Sequence, residues 1–566
     1  MRSMHASANR SSPTLLSPSV GFAVVAAVYA LVAAWRLDLP GVYMDEVNPD
    51  YLVVKLLNPD HAPIVGWVLR GNYLLGDRVP WLVQLYHGSQ TFWLGLPFFA
   101  LFGTTVEGLR LTHALFGAGV LAALYWLLLC ARLAPWQAAL ACGAVALDPS
   151  FSYAFRTQSY ITLAGDAWLL LAIACLLPSA HGPATARRLF WSGAWAGTAI
   201  VGYFVHAFFV PALAAGAWWA TRTGDARSAR RKRGAWLAGC ALGASPYIVG
   251  YGLLARAAGG IAPAWSFIVG QQASLHAFDS TLGAAERLAY AWRMVVGVVS
   301  NAWHHAMMFG EWAEVPGTAA KLALLVGLPG VLLAVAAVCR RATFAHVLLS
   351  ALPVSFVAVA LGFGGRLGGH HYVTLLPVFY AALAVGLAHL APIARAGSAA
   401  RRATVAAPLA LLVALNVDAQ VSEGRTLAAT RGVGLMSDAI NRFAADINAD
   451  PRKRWYVFPD WGLALPIAFL TRGSVGITSG DDVAQARSRL CIGHDVAVAL
   501  VEGDRTARRN DWTGRLGWDA PDVVHYTQGD GKVVFDVLGY HGRADGPGCA
   551  IATPEAPIAA GSARSD

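Results

Sequence analysis

Two adjacent carboxylates, Asp45 and Glu46, directly follow the first apolar run of the sequence. Acidic side chains at the edge of an apolar segment are costly unless they are solvated, paired or functional. A carboxylate in this place could act as a general base toward a hydroxyl or an amine, or it could hold a divalent metal ion. An ordinary hydrated loop end explains the two residues equally well.

A second stretch places Asp148, Arg156 and Asp166 in order, with Asp166 inside an apolar run. An acid inside such a run is a candidate functional residue by default. Arg156 could pair with a carboxylate or bind a phosphate. In the alternative interpretation, Arg156 and Asp166 form a structural ion pair.

A third stretch surrounds Arg366 with glycines and is followed by His370, His371 and Tyr372. Arginine next to flexible glycine backbone could cradle a phosphate. The histidine pair is more often a satisfied interfacial feature than a metal ligand, so the metal requirement stays open.

The composition shows where these residues must work. Of 566 residues, 56% are hydrophobic and 13% are charged, and the mean hydropathy is +0.49. A soluble globular chain carries about 25% charged residues, so the sequence predicts an integral membrane protein. The net charge of +10 comes mainly from short loops between apolar runs, which indicates membrane orientation and not nucleic-acid binding.

A membrane span needs about 20 apolar residues, and about eleven runs qualify. If the N-terminal tail, residues 1–18, is cytoplasmic and the spans alternate, the arginine-rich loops all fall inside. These loops contain Arg132, Arg187, Arg188, the cluster from Arg222 to Arg233, Arg340, Arg341, Arg395, Arg401 and Arg402. The predicted spans are 19–37, 106–130, 135–150, 159–178, 189–203, 206–220, 235–254, 320–338, 343–362, 372–391 and 404–418.

Two long segments of the membrane domain, 38–105 and 255–319, then fall outside. The first is predicted to contain amphipathic helices at Tyr51–Leu57 and Val79–Tyr86 that lie along the membrane surface.

From about residue 419 the pattern becomes that of a soluble domain. Helix-like and strand-like stretches alternate over 419–551, which predicts a small extracytoplasmic α/β domain. The helix-like stretches are Leu435–Ile447 and Asp482–Leu490, and the strand-like ones are Trp455–Phe458, Val496–Val501 and Lys532–Leu538. Residues 552–566 are predicted to be a disordered tail. This domain contains Cys491 and Cys549, which an oxidising compartment would allow to form a disulfide. Two free thiols are the alternative.

The motifs together resemble the GT-C class of membrane glycosyltransferases, specifically the family-39 branch with its protein O-mannosyltransferases and aminoarabinose transferases. The similarity covers roughly residues 19–392 and depends on the order, spacing and common membrane side of the motifs. Thr112-His113 and His370-His371 depart from the family pattern, which puts the acceptor in question more than the class. The similar motifs are Met44-Asp45-Glu46, Leu109-Arg110-Leu111, the series Asp148, Arg156 and Asp166, and the series Arg366, Tyr372 and Pro377.

The resemblance implies an all-α polytopic membrane fold that transfers a sugar from a polyprenyl-phosphate donor, with inversion, at the outer face of the plasma (inner) membrane. Asp45 would be the base or a carboxylate close to a metal, assisted by Glu46, and Asp166 would be a second acid. The candidate ligands of the donor phosphate are Arg156 and Arg366, with Lys55 and Arg70 as weaker ones. The resemblance identifies neither the sugar nor the acceptor.

Two other function classes compete with this interpretation. A transporter or flippase of lipid-linked or small polar substrates should show paired halves and helices broken at the midplane, and the sequence shows no such halves. A noncatalytic scaffold that presents the soluble domain would not need Asp45, Asp166 and Arg366 on one membrane side.

Overall fold

The computed structural model describes residues 17–58, 68–75, 79–85, 90–157, 160–178, 184–222, 225–274, 282–313, 317–365, 367–390, 398–501 and 503–549. Helices dominate the first three quarters of the chain, and a five-stranded sheet lies in the last quarter. The helices up to the sheet domain are α1 (Pro18–Ala34), α2 (Val53–Leu57), α3 (Gln90–Phe102), α4 (Val106–Cys130), α5 (Pro135–Ala146), α6 (Pro149–Ser152), α7 (Tyr160–Leu176), α8 (Ala186–Gly202), α9 (Val210–Ala220), α10 (Ala226–Gly243), α11 (Ser245–Ala258), α12 (Ile261–Ser274), α13 (Ala284–Val299), α14 (Ala302–Phe309), α15 (Thr318–Leu322), α16 (Leu328–Val338), α17 (Phe344–Ala360), α18 (Gly369–Tyr372), α19 (Leu375–Leu390) and α20 (Ser398–Thr430).

The apolar helices make this a multi-pass membrane protein. Among the described residues, five helices are long and apolar enough to cross a membrane, or six if α10 and α11, bent by 50°, form one span. Four shorter apolar helices add to them. Each predicted span has a helix at its position, but the predicted total of about eleven crossings stays a prediction.

The segment 38–105 differs from its prediction in one detail. Helix α2 confirms most of the predicted Tyr51–Leu57 helix. The predicted helix at Val79–Tyr86 is wrong: Val79–Pro80 forms strand β2, which pairs with β1 (Tyr73–Leu74). Pro80 would be the second residue of such a helix, where proline is tolerated, so the pairing with β1 is what excludes the helix. The sequence analysis did not foresee the apolar helix α3.

Helices α8 and α10 pack with unusually close backbones. Added Cβ atoms at Gly193 and Gly239 would lie 2.0 Å from the carbonyl oxygens of Trp236 and Phe190, respectively. Small residues at such spacing let membrane helices approach closely without a hydrophobic driving force. The close packing of α8 against α10 therefore requires glycine, which has no side chain, at positions 193 and 239.

The soluble domain is a mixed α/β sandwich. Its sheet has the order β4-β3-β5-β7-β6; β3 pairs in parallel with β4 and β5, whereas β7 is antiparallel to β5 and β6. The elements are α21 (Ala439–Ala449), β3 (Trp455–Phe458), α22 (Ala464–Leu470), β4 (Ile477–Ser479), α23 (Val483–Cys491), β5 (Val496–Leu500), α24 (Arg505–Leu516), β6 (Asp522–Thr527) and β7 (Val533–Tyr540). Helices α21 and α22 cover one face of the sheet, and α23 and α24 cover the other.

Helix α20 joins the two domains without a break. It has 33 residues and passes through the predicted domain boundary at 418. Its polar residues Asn416, Gln420 and Glu423 lie one helical turn apart and bind the membrane domain. Asn416 Nδ2 donates to the Ala144 carbonyl at 2.7 Å, Gln420 donates to Ser152, and Glu423 Oε1 pairs with His305 Nδ1 at 2.9 Å.

The apolar core under α21 and α22 extends into the membrane domain. Phe443 and Phe458 of the soluble domain share one buried cluster with Val42, Phe92 and Phe99. The segment that follows α1 is thus packed from both domains.

Candidate active site at the domain junction

The segment after α1 is held by two buried arginines. Arg156 donates through Nη1 to the carbonyls of Arg36 (2.9 Å) and Leu39 (3.1 Å), and through Nη2 to those of Ala33 (3.0 Å) and Trp35. These carbonyls belong to the last turn of α1 and to the turn that follows it, where the helix itself leaves carbonyl groups unsatisfied. The guanidinium is fully buried, so Arg156 caps the helix and positions the turn after it.

The second arginine, Arg110 of α4, binds Glu46. Its Nε donates to Glu46 Oε1 at 2.8 Å and its Nη2 to Oε2 at 3.2 Å, and both side chains are fully buried. Arg110 Nη1 also donates to the Leu37 carbonyl at 2.7 Å. The sequence analysis named Arg110 only within the family motif. An arginine near the start of an apolar span is itself a signal for a buried partner.

A buried pair between Asp50 and His113 also holds this segment. Asp50 Oδ2 lies 2.6 Å from His113 Nε2, and neither side chain is exposed. Thr112-His113, the departure from the family pattern, therefore supplies a structural partner to the loop.

Asp45 differs from its neighbours. Its side chain is partly exposed, and within the described residues no hydrogen bond or ion pair to its carboxylate is formed. Burial of the surrounding segment raises the pKa of the Asp45 carboxyl to about 6. A carboxylate with a raised pKa and free oxygens has the properties of a general base.

The soluble domain contacts the same segment. Gly41 N donates to the Met436 carbonyl at 2.7 Å, and Val42 N to Asn441 Oδ1 at 3.1 Å. Val433 N reaches the Met308 carbonyl at 2.9 Å. Parts of 38–105, 255–319 and the soluble domain therefore meet at one end of the helix bundle.

The predicted second acid, Asp166, lies in a separate buried cluster. Its Oδ1 is 3.1 Å from His206 Nε2, and His206 Nδ1 contacts the Tyr203 carbonyl at 3.0 Å. The alternative ion pair between Arg156 and Asp166 is not formed, because Arg156 binds the end of α1.

The late histidines join this second cluster. His371 Nε2 lies 3.1 Å from the Tyr203 hydroxyl, and the His370 and His371 rings are 3.8 Å apart. Tyr372 is buried and packs edge-on against Phe356. His371 is therefore satisfied within the protein, as the bland interpretation of the pair expects.

The remaining phosphate candidates are spread out. Lys55 Nζ lies 6.0 Å from the centre of the Tyr73 ring, and Arg70 is exposed. Arg366 lies outside the described residues.

The sequence analysis missed a buried network around Asp148. Lys321 Nζ lies 2.8 Å from Asp148 Oδ2, and the Tyr380 hydroxyl donates to the same oxygen at 2.8 Å. Asn416 Nδ2 donates to the Tyr380 oxygen at 2.8 Å. Lys321 within an apolar helix was the available signal, because a buried lysine needs a counter-charge.

Cys491 and Cys549 form a disulfide, with their Cα atoms 5.5 Å apart. The bond fastens the end of the described chain to α23.

In the part of the chain that the structure describes, no three His, Cys, Asp or Glu side chains come together in a way that could hold a metal. The arrangement around Asp45 does not fit a protein-bound metal, because Glu46 and Asp50 are already paired.

An apolar cleft of about 370 Å³ opens between the segment before α3, helix α8 and the α10–α11 bend. Its aromatic lining includes Trp81, Trp93, Trp191 and Trp195. The segment 38–105 therefore supplies one wall of a groove among the membrane helices.

Comparison with known proteins gives relatives by structure only. No family model matches the chain, and no curated protein sequence matches it. Two crystal structures of ArnT from Cupriavidus metallidurans are similar. The one bound to undecaprenyl phosphate has a TM-score of 0.55 at 13% identity, with 92% of this chain and 97% of that chain covered. The apo structure has a TM-score of 0.53 at 14% identity, with 92% and 98% covered.

Both similarities extend over nearly the whole of each chain, including the soluble domain. At this level of identity they define the architecture and not the substrate. The chain has the fold of the GT-C membrane glycosyltransferases, the class that its sequence motifs resemble.

Proposed function

We propose that this protein is a membrane glycosyltransferase that moves a sugar from a polyprenyl-phosphate donor to an acceptor at the extracytoplasmic face, with Asp45 as the base. One observation carries the proposal: the segment after α1 pairs Glu46 and Asp50 and leaves Asp45 without a partner at the domain junction. The ArnT structure of the same fold was obtained with undecaprenyl phosphate, which supports a polyprenyl-linked donor.

The reaction assigns a task to each group. Asp45 accepts the proton of the acceptor hydroxyl, and the hydroxyl oxygen forms a bond to the anomeric carbon of the sugar. The bond from that carbon to the phosphate oxygen breaks, and the polyprenyl phosphate leaves with the electron pair. Attack opposite the leaving group inverts the anomeric centre.

The buried pairs act as positioning groups in this scheme. Glu46 and Arg110 fix the backbone on both sides of Asp45, and Arg156 fixes the end of α1. Arg156 belongs to these positioning groups and not to the ligands of the donor phosphate, because its guanidinium is buried and bound to backbone carbonyls. The donor phosphate needs cationic stabilisation, for which Lys55, Arg70 and Arg366 are the proposed residues.

The tryptophan-lined cleft is our proposed site for part of the polyprenyl chain. Its apolar lining suits a hydrocarbon tail, and its wall before α3 belongs to the same segment as Lys55 and Arg70.

A transfer assay set against a flux assay tests the proposal. The full chain is reconstituted into liposomes with a panel of labelled polyprenyl-phosphate sugars and a membrane extract that contains acceptors. We expect labelled product with the native chain and at least about 10²-fold slower formation of product with D45N. Movement of the labelled lipid across the bilayer, without product and unaffected by D45N, would support the transporter instead.

A further inference from the structure

One aromatic side chain of the soluble domain lies on the segment between α1 and α2, residues 35–52, which is called the Asp45 segment below. Trp461 lies in the turn after β3, three residues beyond Phe458, and its ring contacts the Tyr43 ring edge-on with centroids 5.2 Å apart. The next residue anchors the contact, because Gly462 N donates to Met44 Sδ at 3.2 Å. Although it is held in this way, Trp461 remains 42% exposed. A partly exposed indole therefore lies on Tyr43, two residues before the proposed base in the chain.

The position of Trp461 in the sheet is where α/β domains commonly bind ligands. The chain leaves β3 toward α22 on one face and leaves β5 toward α24 on the other, so the connections diverge between these neighbouring strands. Ligands of open α/β sheets bind in the crevice at the carboxyl ends of such strands. Here that crevice faces the Asp45 segment.

The turn that carries Trp461 is fixed by a charged partner. Asp460 Oδ2 accepts hydrogen bonds from Val501 N at 2.8 Å and from Arg508 Nη1 at 2.7 Å. These bonds tie the end of β3 to the end of β5. The indole is therefore presented by a braced turn, and little ordering is needed when a ligand binds.

The chemistry of the surroundings favours a sugar ring as the ligand. The face of an indole carries negative charge and attracts the polarised C–H groups of a pyranose or furanose ring. A peptide that adds a strand needs a free sheet edge, whereas β3 lies between β4 and β5. Arg508 of α24, the cation that contacts this turn, is already paired with Asp460 at 2.7 Å, so the turn does not favour a phosphate headgroup.

We propose that Trp461 is a specificity-determining residue that stacks against the acceptor, and that the acceptor is therefore a carbohydrate. This inference rests on the proposed function, because the stacked sugar must present its hydroxyl to Asp45. The proton of that hydroxyl passes to Asp45 as its oxygen bonds to the donor sugar and polyprenyl phosphate leaves.

The test uses the full chain in liposomes with polyprenyl-phosphate sugars as donors. Oligosaccharides and serine- or threonine-containing peptides serve as acceptor probes, and release of polyprenyl phosphate is measured. We expect oligosaccharides to be glycosylated. W461A should raise the acceptor KM by about five- to tenfold, the size of one aromatic contact, with kcat and the donor KM changed by less than about twofold. W461F should recover part of the loss.

I492A is the matched control, since Ile492 is another exposed apolar residue of the soluble domain, at 59%, and lies beyond α23; its acceptor KM should not change. Transfer to peptides alone, or an unchanged acceptor KM in a well-folded W461A variant, would overturn the carbohydrate inference and leave the glycosyltransferase proposal intact. Failure of every donor to react with any probe or with membrane extract would overturn both.

Discussion

The Asp45 segment and the Asp166 cluster both contain carboxylates near histidine or arginine side chains. The two regions differ in whether the candidate carboxylate itself is bound by those side chains. Asp166 is enclosed and bound to His206, and the cluster continues through Tyr203 to His371. In the Asp45 segment, the neighbours Glu46 and Asp50 take the buried partners, and Asp45 keeps its oxygens accessible. From the sequence, both acids are candidates for the active site, with Asp45 as the base and Asp166 as a second acid, whereas the observed pairing separates them.

The difference has a simple physical origin. A buried carboxylate is tolerated only when hydrogen bonds or opposite charges replace water. The same partners then occupy the lone pairs that a substrate proton would need. A carboxylate that is structurally indispensable is therefore a poor general base, and this comparison makes four predictions.

The largest effect is expected for D45N. Asparagine keeps the shape of the side chain but cannot take the proton, so the transfer rate should fall by about 10²–10⁴-fold while the fold is retained. Single-turnover kinetics with saturating donor measure the rate, and melting in detergent checks folding. The control D38N changes an exposed carboxylate of the same segment, paired with Arg36 at 3.5 Å, and should react normally. Near-normal turnover of folded D45N would remove the assignment of the base.

The second effect concerns stability. R110M leaves Glu46 charged and buried without its partner, which should cost about 3–5 kcal/mol of folding free energy and lower the Tm clearly. The double variant E46Q/R110M should regain much of that loss, because the uncompensated charge is gone. Equal Tm values for the native chain and R110M would show that the pair does not hold the segment.

The third effect is a pH dependence of the rate. Because the pKa of Asp45 is raised to about 6 and the base works in its ionised form, kcat/KM should fall as the pH drops through this value. One pH unit below it, about a tenth of the activity should remain. The control is the melting temperature over the same pH range. A flat profile from pH 8 to about pH 5 would contradict an Asp45 base with this pKa.

The smallest effect is expected for D166N. The variant replaces the charged acceptor of the His206 hydrogen bond by a neutral amide oxygen, which should cost about 0.5–1.5 kcal/mol of stability and change turnover by only a fewfold. Comparing its rate and Tm with those of D45N measures the contrast between the two regions. A loss of turnover as large as that of D45N, with normal melting, would place Asp166 in the chemistry.

The membrane helices and most of the soluble domain could be predicted because apolar runs and alternation record burial directly. The strand Trp455–Phe458 has its predicted bounds. The roles of Arg156, Arg110 and Lys321 could not be predicted in the same way. The sequence around an arginine or lysine near a span does not show whether its side chain binds a ligand or a group of the protein. The partners of these three residues also lie 64 to more than 170 residues away in the chain. The strand at Val79–Pro80 was not predicted because its pairing with Tyr73–Leu74 leaves no trace in the apolar periodicity of the segment.

The length of helix α20 sets both the distance and the rotation of the sheet domain relative to the membrane domain. Its 33 residues span about 50 Å, and each residue turns the helix by about 100°. One inserted residue beyond Glu423 would rotate the whole sheet domain by that angle and carry Trp461 away from Tyr43, although no side chain in either domain had changed. Insertions of seven residues would nearly restore the direction but lift the domain by about 10 Å. The contact between the two domains therefore requires a fixed number of residues in this helix. Chimaeras between related chains should keep that number even where the sequence of the helix varies.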